Sequence, residues 1–248
     1  MAIYALQNKR VRECQIYLTG LLLWPGKVHI SNEPIEALKA ACCVGKSTVY
    51  TSLNWLEYQG WIGNDKTNGW LFFRGLDHIH QIEGWKYSRA ALMKPKDIHT
   101  IKAFFIGSVL ASLVYSGIRG TGTDRKRRRS AQSRFPVSLS VISKLLNVSE
   151  KTAFNYRKLA QKYQYIKSEP NLQQVDHIGI DDIRQMKFND IEAVKISLFG
   201  STQYLTVSPK QFKSDKGKIF VQLPNFITPN VLIKKRKVKR WKALTPTG

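Results

Sequence analysis

Acidic residues are scarce in this chain of 248: 17 Asp and Glu stand against 40 Lys and Arg, leaving a formal charge of +23. That imbalance argues for a polyanionic partner, DNA or RNA before an anionic membrane surface. Cysteine is nearly absent too. Cys14, Cys42 and Cys43 are odd in number and two are adjacent, which excludes a disulfide framework, lacks the C-x-x-C spacing of a zinc site and points to a reducing compartment. Long apolar runs are missing. The best, 103–115, is too short for a bilayer and is broken by Gly107, Ser108 and Ser112, so no membrane partner is expected. The opening MAIYALQNKRVRECQ lacks an apolar run followed by a small-residue cleavage site, so no secretory leader is expected. The expected location is the cytoplasm, associated with the nucleoid, or the nucleus if the source is a eukaryote or one of its viruses.

Constellations for catalysis are equally sparse. No Ser/His/Asp or Cys/His set assembles without free choice of partners, and the pairs Asp181-Asp182 and Asp190/Glu192 are thin support for a metal-dependent nuclease. Asp77-His78-Ile79-His80 would place two histidines on one face of a strand, half a metal site with nothing to complete it. Gly45-Lys46-Ser47-Thr48 invites a phosphate-loop reading. That motif needs an earlier glycine where Ala40 stands, and a preceding strand where a helix is predicted. The chain is therefore expected to be no enzyme and to carry no cofactor and no metal.

What is present is a repeat. CVGKSTVYTSLNWLEYQGWI at 43–62 aligns without a gap with NVSEKTAFNYRKLAQKYQYI at 147–166. The copies share Val44/Val148, Thr48/Thr152 and Ile62/Ile166, and pair Val49 with Ala153, Tyr50 with Phe154 and Trp61 with Tyr165. Around the first copy, residues 9–23 space Val11, Ile16, Leu18 and Leu22 helically and stop at Trp24-Pro25-Gly26. An extended piece at 27–30 leads to Ser31-Asn32-Glu33-Pro34, a helix start with Pro in the first turn. A short helix with Leu38 and Ala41 inward follows, burying at least one of the adjacent cysteines. After the turn at Val44-Gly45, a longer helix runs over 46–59 and stops at Gly60. Trp61-Ile62 and Trp70-Leu71-Phe72-Phe73 flank an Asn-Gly turn and predict a hairpin.

Around the second copy, 98–115 reads as an amphipathic helix ending at Ser116-Gly117, 136–146 as the short helix and 150–163 as the longer one. Ala153, Tyr156, Ala160 and Tyr163 are its expected buried stripe. Arg157 stands where the first copy has Leu53, so the helix is rotated slightly or Arg157 reaches outward. Between helices lies a loop at 118–135 carrying Arg125, Lys126, Arg127, Arg128 and Arg129, about a dozen residues longer than its counterpart and read as functional. Beyond 167 the pattern weakens: strands are expected at 194–199, 203–207 and 218–223, the last ended by Pro224-Asn225, forming an enlarged wing or a small sheet on the second unit.

Helix, helix, turn, helix, hairpin over about 9–74, with the run Val44 to Ile62 at its centre, resembles winged helix-turn-helix DNA-binding domains at superfamily level. Two such units in a strongly basic chain are similar in layout to regulators and replication initiators of plasmids, phages and other mobile elements. The fold class this implies is mostly α with small β-hairpins, two winged-helix domains in tandem, a C-terminal β-rich extension and a basic tail. The expected divisions are a first winged helix at 1–76, a connector at 77–97, a second winged helix at 98–190, a β-rich wing or extension at 191–233 and a basic tail at 234–248.

In this reading the partner is double-stranded DNA, with a second copy of the chain or another DNA-bound protein as further partners to consider. A helix fits the major groove and reads base edges from its N-terminal half. The outward candidates are Lys46, Ser47, Tyr50, Thr51 and Asn54 in the first unit, and Lys151, Thr152, Asn155, Arg157 and Lys158 in the second. Lys46 and Ser47 suit phosphates, Asn54 an adenine and Thr51 a thymine methyl. The arginine loop suits a narrow minor groove, or is a solvated run or import tag. Lys234, Lys235, Arg236, Lys237, Lys239 and Arg240 suit phosphates, and Trp241 either stacks on a base or docks on the protein. The expected function is sequence-specific DNA binding in transcription regulation. The alternatives are an origin-binding initiator of a mobile element, a non-specific architectural or packaging protein, and an RNA-binding component.

Overall fold

Gly26, Gly60 and Gly69 have positive φ (119°, 70° and 67°), and they mark three of the turns that organise the N-terminal half. In a computed structural model that describes residues 1–85, 89–120, 134–175, 192–198, 201–207, 212–215 and 218–235, the chain begins with a helix that the sequence reading missed, α1 (Ala2–Gln7). Then come α2 (Val11–Leu23), β1 (Lys27–His29), α3 (Asn32–Cys42), α4 (Lys46–Tyr58), β2 (Ile62–Asp65) and β3 (Trp70–Phe73). The three strands form an antiparallel sheet in the order β1-β3-β2. Helix α2 lies against β3 so closely that a Cβ on Gly20 would stand 2.1 Å from the Phe73 ring, so only glycine fits there. Leu38 and Cys42 are buried on α3 and Val49, Leu53 and Leu56 on α4, but Leu22 of α2 is exposed.

The connector is more ordered than expected. Its first part is α5 (Leu76–Ile82), not a strand, with Gly75 at its N-cap and Ile79 fully buried. β4 (Arg89–Ala91) and a 3-10 turn (Pro95–Ile98) follow.

The next helix, α6 (Ile101–Gly120), starts later than expected and runs through Ser116-Gly117. It is not amphipathic: Ala103 through Ala111 are buried without interruption, as befits a helix wrapped by its neighbours. Gly107 and Gly117 permit that closeness, since a Cβ would stand 2.5 Å from Tyr165 at the first and 2.3 Å from Phe135 at the second. At Gly117 the glycine serves packing rather than termination.

Then come β5 (Phe135–Pro136), α7 (Leu139–Leu146), α8 (Glu150–Lys162), β6 (Ile166–Val175), β7 (Glu192–Leu198), β8 (Ser201–Val207), β9 (Phe212–Asp215), β10 (Lys218–Pro229) and β11 (Ile233–Lys235). Pro136 therefore belongs to an edge strand, where its missing N–H costs nothing, and α7 begins after Ser138, whose hydroxyl accepts from the Val141 amide at 3.2 Å. β10 does not stop at Pro224-Asn225. It passes them through a register shift between Leu223 and Phe226, pairing on both sides of the shift with the ten-residue strand β6, which the sequence reading left without structure.

The second sheet is ordered β5-β10-β6, with β9 also paired to β10, while β7 pairs with β8. A single sheet thus crosses the boundary expected at 190, because β6 and β10 lie on either side of it. β11 pairs with β4, tying the end of the described chain to the connector.

Helix, strand, helix, helix, strand, strand with the last strand central therefore occurs twice. Buried residues of both units belong to one hydrophobic cluster running from Leu6 and Tyr17 through Leu110 to Ile142 and Ile227. Polar contacts that cross between the units include Gln7 Nε2 donating to Leu145 O at 2.8 Å and buried Gln15 donating to Ile98 O at 2.8 Å. The architecture is mixed helix and small antiparallel sheets, and no described helix is long and apolar enough to cross a membrane.

Candidate nucleic-acid interface

The turns before α4 and before α8 are built by the same backbone bonds. α3 ends at Cys43 in the left-handed region (φ 53°), and α7 ends at Asn147 likewise (φ 51°). Val44 N donates to Lys39 O at 3.1 Å, as Val148 N does to Ser143 O at 3.0 Å. At the far ends, Trp61 N donates to Leu56 O and Tyr165 N to Ala160 O, both at 2.9 Å, after the positive-φ residues Gly60 and Gln164. The repeat found in sequence is therefore a repeat of backbone geometry.

On α4 the inward face is Val49, Ser52, Leu53 and Leu56, and Lys46, Ser47, Tyr50, Thr51 and Asn54 are all exposed. Lys46 Nζ donates to Asn32 Oδ1 at 3.2 Å, and Thr51 Oγ1 donates to Ser47 O at 2.9 Å. The Thr51 hydroxyl proton is thus used within the helix, leaving its methyl for an apolar contact.

On α8, Lys151, Asn155 and Lys158 are exposed and Thr152 is half-buried. Thr152 completes the helix start, its amide donating to Ser149 Oγ at 3.2 Å with the two hydroxyls 3.0 Å apart. The Arg157 guanidinium is half-buried 5.5 Å from the Phe154 ring centroid, and burial pushes its pKa below the usual guanidinium value. Lys158 Nζ lies 4.6 Å from the same ring. Tyr163 is exposed rather than part of the buried stripe, which is centred on Ala153 and Ala160.

No family model, curated protein or solved structure matches the chain. Its chemistry has to be read from its own residues.

The β2–β3 turn supplies residues that the sequence reading passed over. Asp65 accepts from the Thr67 and Asn68 amides at 3.1 and 3.2 Å and from Asn68 Nδ2 at 2.9 Å, bonds that hold its carboxyl below the usual range. They fix a tip on which Lys66 is 80% exposed. Next to the turn, Lys27 Nζ sits 4.6 Å over the ring of Trp70, the residue paired with Asp65, beside His29. The Asn-Gly signal found the hairpin, but nothing in it marked the exposed lysine that its turn presents.

Arg125, Lys126, Arg127, Arg128 and Arg129, and Arg236, Lys237, Lys239, Arg240 and Trp241, lie outside the described residues, as do Asp181, Asp182 and Asp190. Lys234 is exposed on β11, and Lys235 pairs through its backbone with Arg89. The histidines expected on one strand face stand on α5 with separate neighbours. His78 Nε2 is 2.6 Å from Arg74 and His80 packs against Trp85, and no group of three or more His, Cys, Asp or Glu among the described residues could hold a metal. All three cysteines are free, with Cys14 and Cys42 buried and Cys43 exposed.

Proposed function

We propose that the chain is a sequence-specific double-stranded DNA-binding protein that uses two winged helices in tandem, and that it regulates transcription by occupying its site. The observation that carries this reading is the doubled arrangement of α2-β1-α3-α4-β2-β3 and α6-β5-α7-α8-β6-β10, each leaving the outer face of its second turn helix exposed and polar. An α-helix so mounted fits the major groove, with an adjacent hairpin beside it. The charge of +23 supplies the attraction to phosphates that any such reader needs.

The outer faces differ at equivalent positions: Ser47, Thr51 and Asn54 on α4 correspond to Lys151, Asn155 and Lys158 on α8. Two unlike readers fit an asymmetric site of two parts rather than a palindrome. Enrichment of bound sequences from a random duplex pool is expected to return one such motif, and a reporter carrying it is expected to change output when the chain is supplied. Binding with no preference among duplexes, or preference for structured RNA, would overturn the reading.

A further inference from the structure

Between the two units lies a cleft of about 410 Å³ whose rim carries Lys9, Arg12, His99 and Lys102 and whose far wall is Tyr156 of α8 and Tyr163, which caps that helix. No carboxylate lines it, and Lys9, Arg12 and Lys102 form no ion pair among the described residues. On one side Arg12 Nη1 donates to Gln15 Oε1 at 2.9 Å and, more weakly, to Cys42 O at 3.4 Å, the last residue of α3 before the turn into α4. On the other side Leu159 is shared with the shallow surface formed by Asn155, Lys158 and Lys162. Cationic surface thus runs from the exposed face of α8 into the cleft and up to the mount of α4.

Lys9 stands there at a cost. Its φ of 57° is left-handed, in the turn between α1 and α2, a position that glycine or asparagine fills more cheaply. Lys102 Nζ is held 5.1 Å over the Tyr156 ring, aligned along the cleft wall rather than paired with an acid.

We infer that this cleft seats the phosphates of the DNA segment joining the two half-sites, with Lys9, Arg12 and Lys102 as their partners. The inference rests on the DNA-binding reading and adds a third contact surface to it. A duplex engaged by α4 and α8 must carry its backbone from one unit to the other, and phosphate contacts between readers fix their register without reading sequence. Cations without acidic partners on a concave surface are the electrostatic complement of that backbone.

The test uses the full chain and the two-part duplex selected from the random pool. Methylphosphonates, which remove the charge, replace the phosphates between the half-sites. At about 0.15 M salt this substitution is expected to weaken binding about tenfold, and Lys9→Gly with Lys102→Gln is expected to weaken it similarly while lowering the salt slope by about 0.9 per lysine. Combined, the two changes should add little to either alone. Lys9→Gly removes the left-handed strain, so its melting temperature should equal or exceed that of the parent, which separates a binding defect from a folding one. Full additivity, an unchanged slope or silent joining phosphates would overturn the inference and leave the DNA reading standing. Failure to select any duplex motif would remove both.

Discussion

The first unit closes its core with Leu53 and Trp61, where the second has Arg157 and Tyr165, and the two exchanges change how each core is held. Trp61 is fully buried, edge-on to Tyr17, Trp55 and Trp85, and its indole N–H donates to Glu83 Oε1 at 2.7 Å. Tyr165 is only half-buried, its hydroxyl 2.7 Å from Thr100 Oγ1 and donating to Asp97 Oδ1 at 2.9 Å. One unit is held by edge-on aromatics, the other by a polar network reaching back to the 3-10 turn. Outward, α4 offers Lys46 beside two hydroxyls, an amide and a tyrosine, whereas α8 offers Lys151 and Lys158 beside the amide of Asn155. On the proposed DNA-binding reading, the same backbone carries one helix suited to discrimination and one suited to charge.

The largest expected effect lies in the first core. Trp61→Ala should cost about 3–5 kcal/mol in urea unfolding, as large buried aromatics do. Tyr165→Phe, which deletes only the hydroxyl, should cost about 1–2 kcal/mol. Comparable losses would mean that the two cores are not held differently.

Next is the exchange at the equivalent helix position. Leu53 is 6% exposed, so Leu53→Arg should destabilise by about 3 kcal/mol or more through an unpaired buried charge. Arg157→Leu should be neutral or stabilising by up to about 1 kcal/mol, since it replaces a partly desolvated guanidinium. Thermal melts of both variants would decide it; a large loss from Arg157→Leu would show that Arg157 holds a structural partner.

At the surface the comparison becomes one of specificity against charge. Thr51→Ala with Asn54→Ala should shrink the ratio of specific to non-specific affinity by about 10-fold or more, at roughly 1–3 kcal/mol per base contact. Lys151→Ala with Lys158→Ala should instead weaken all duplexes and flatten the salt slope by about 0.9 for each phosphate no longer neutralised. Equal behaviour of the two pairs in fluorescence titrations would erase the proposed division of labour.

The sequence carried the repeat because its signals are local. Alternation, turn residues and helix stops lie within each twenty-residue copy, and the backbone bonds at Val44 and Val148 or Trp61 and Tyr165 follow them. The second sheet was hidden because β6 and β10 pair across an insertion that includes β7, β8 and β9. Residues 98–115 were misread as amphipathic because Gly107 and Ser108 look polar in a pattern and prove to be buried contacts. The helical phase of α4 placed its five outward residues on the exposed side of the helix. The cleft left no sequence signal, since Lys9, Arg12, Lys102 and Tyr156 meet only when the units pack.

The smallest effect separates a carboxylate of each sheet. Asp65 is held below its usual pKa by the Asn68 side chain and by amides of its own turn, and Glu169 of β6 by Lys167 first, at 2.6 Å, and by Arg134, at 3.1 Å. Both are carboxyls with depressed folded pKa values, so each favours the folded state above the ordinary carboxylate pKa and loses that contribution as pH falls through the folded one. Salt should distinguish them. Hydrogen bonds to fixed turn groups are little screened, whereas exposed ion pairs are. Between about 0.05 and 0.5 M salt the Debye length falls from roughly 14 Å to about 4 Å. In an NMR titration over that range the Asp65 carboxyl should keep its low pKa, with the Thr67 and Asn68 amides shifting in step, whereas Glu169 should rise towards the ordinary value. A salt-insensitive Glu169 would mean that its carboxyl, like that of Asp65, is fixed by geometry rather than by charge.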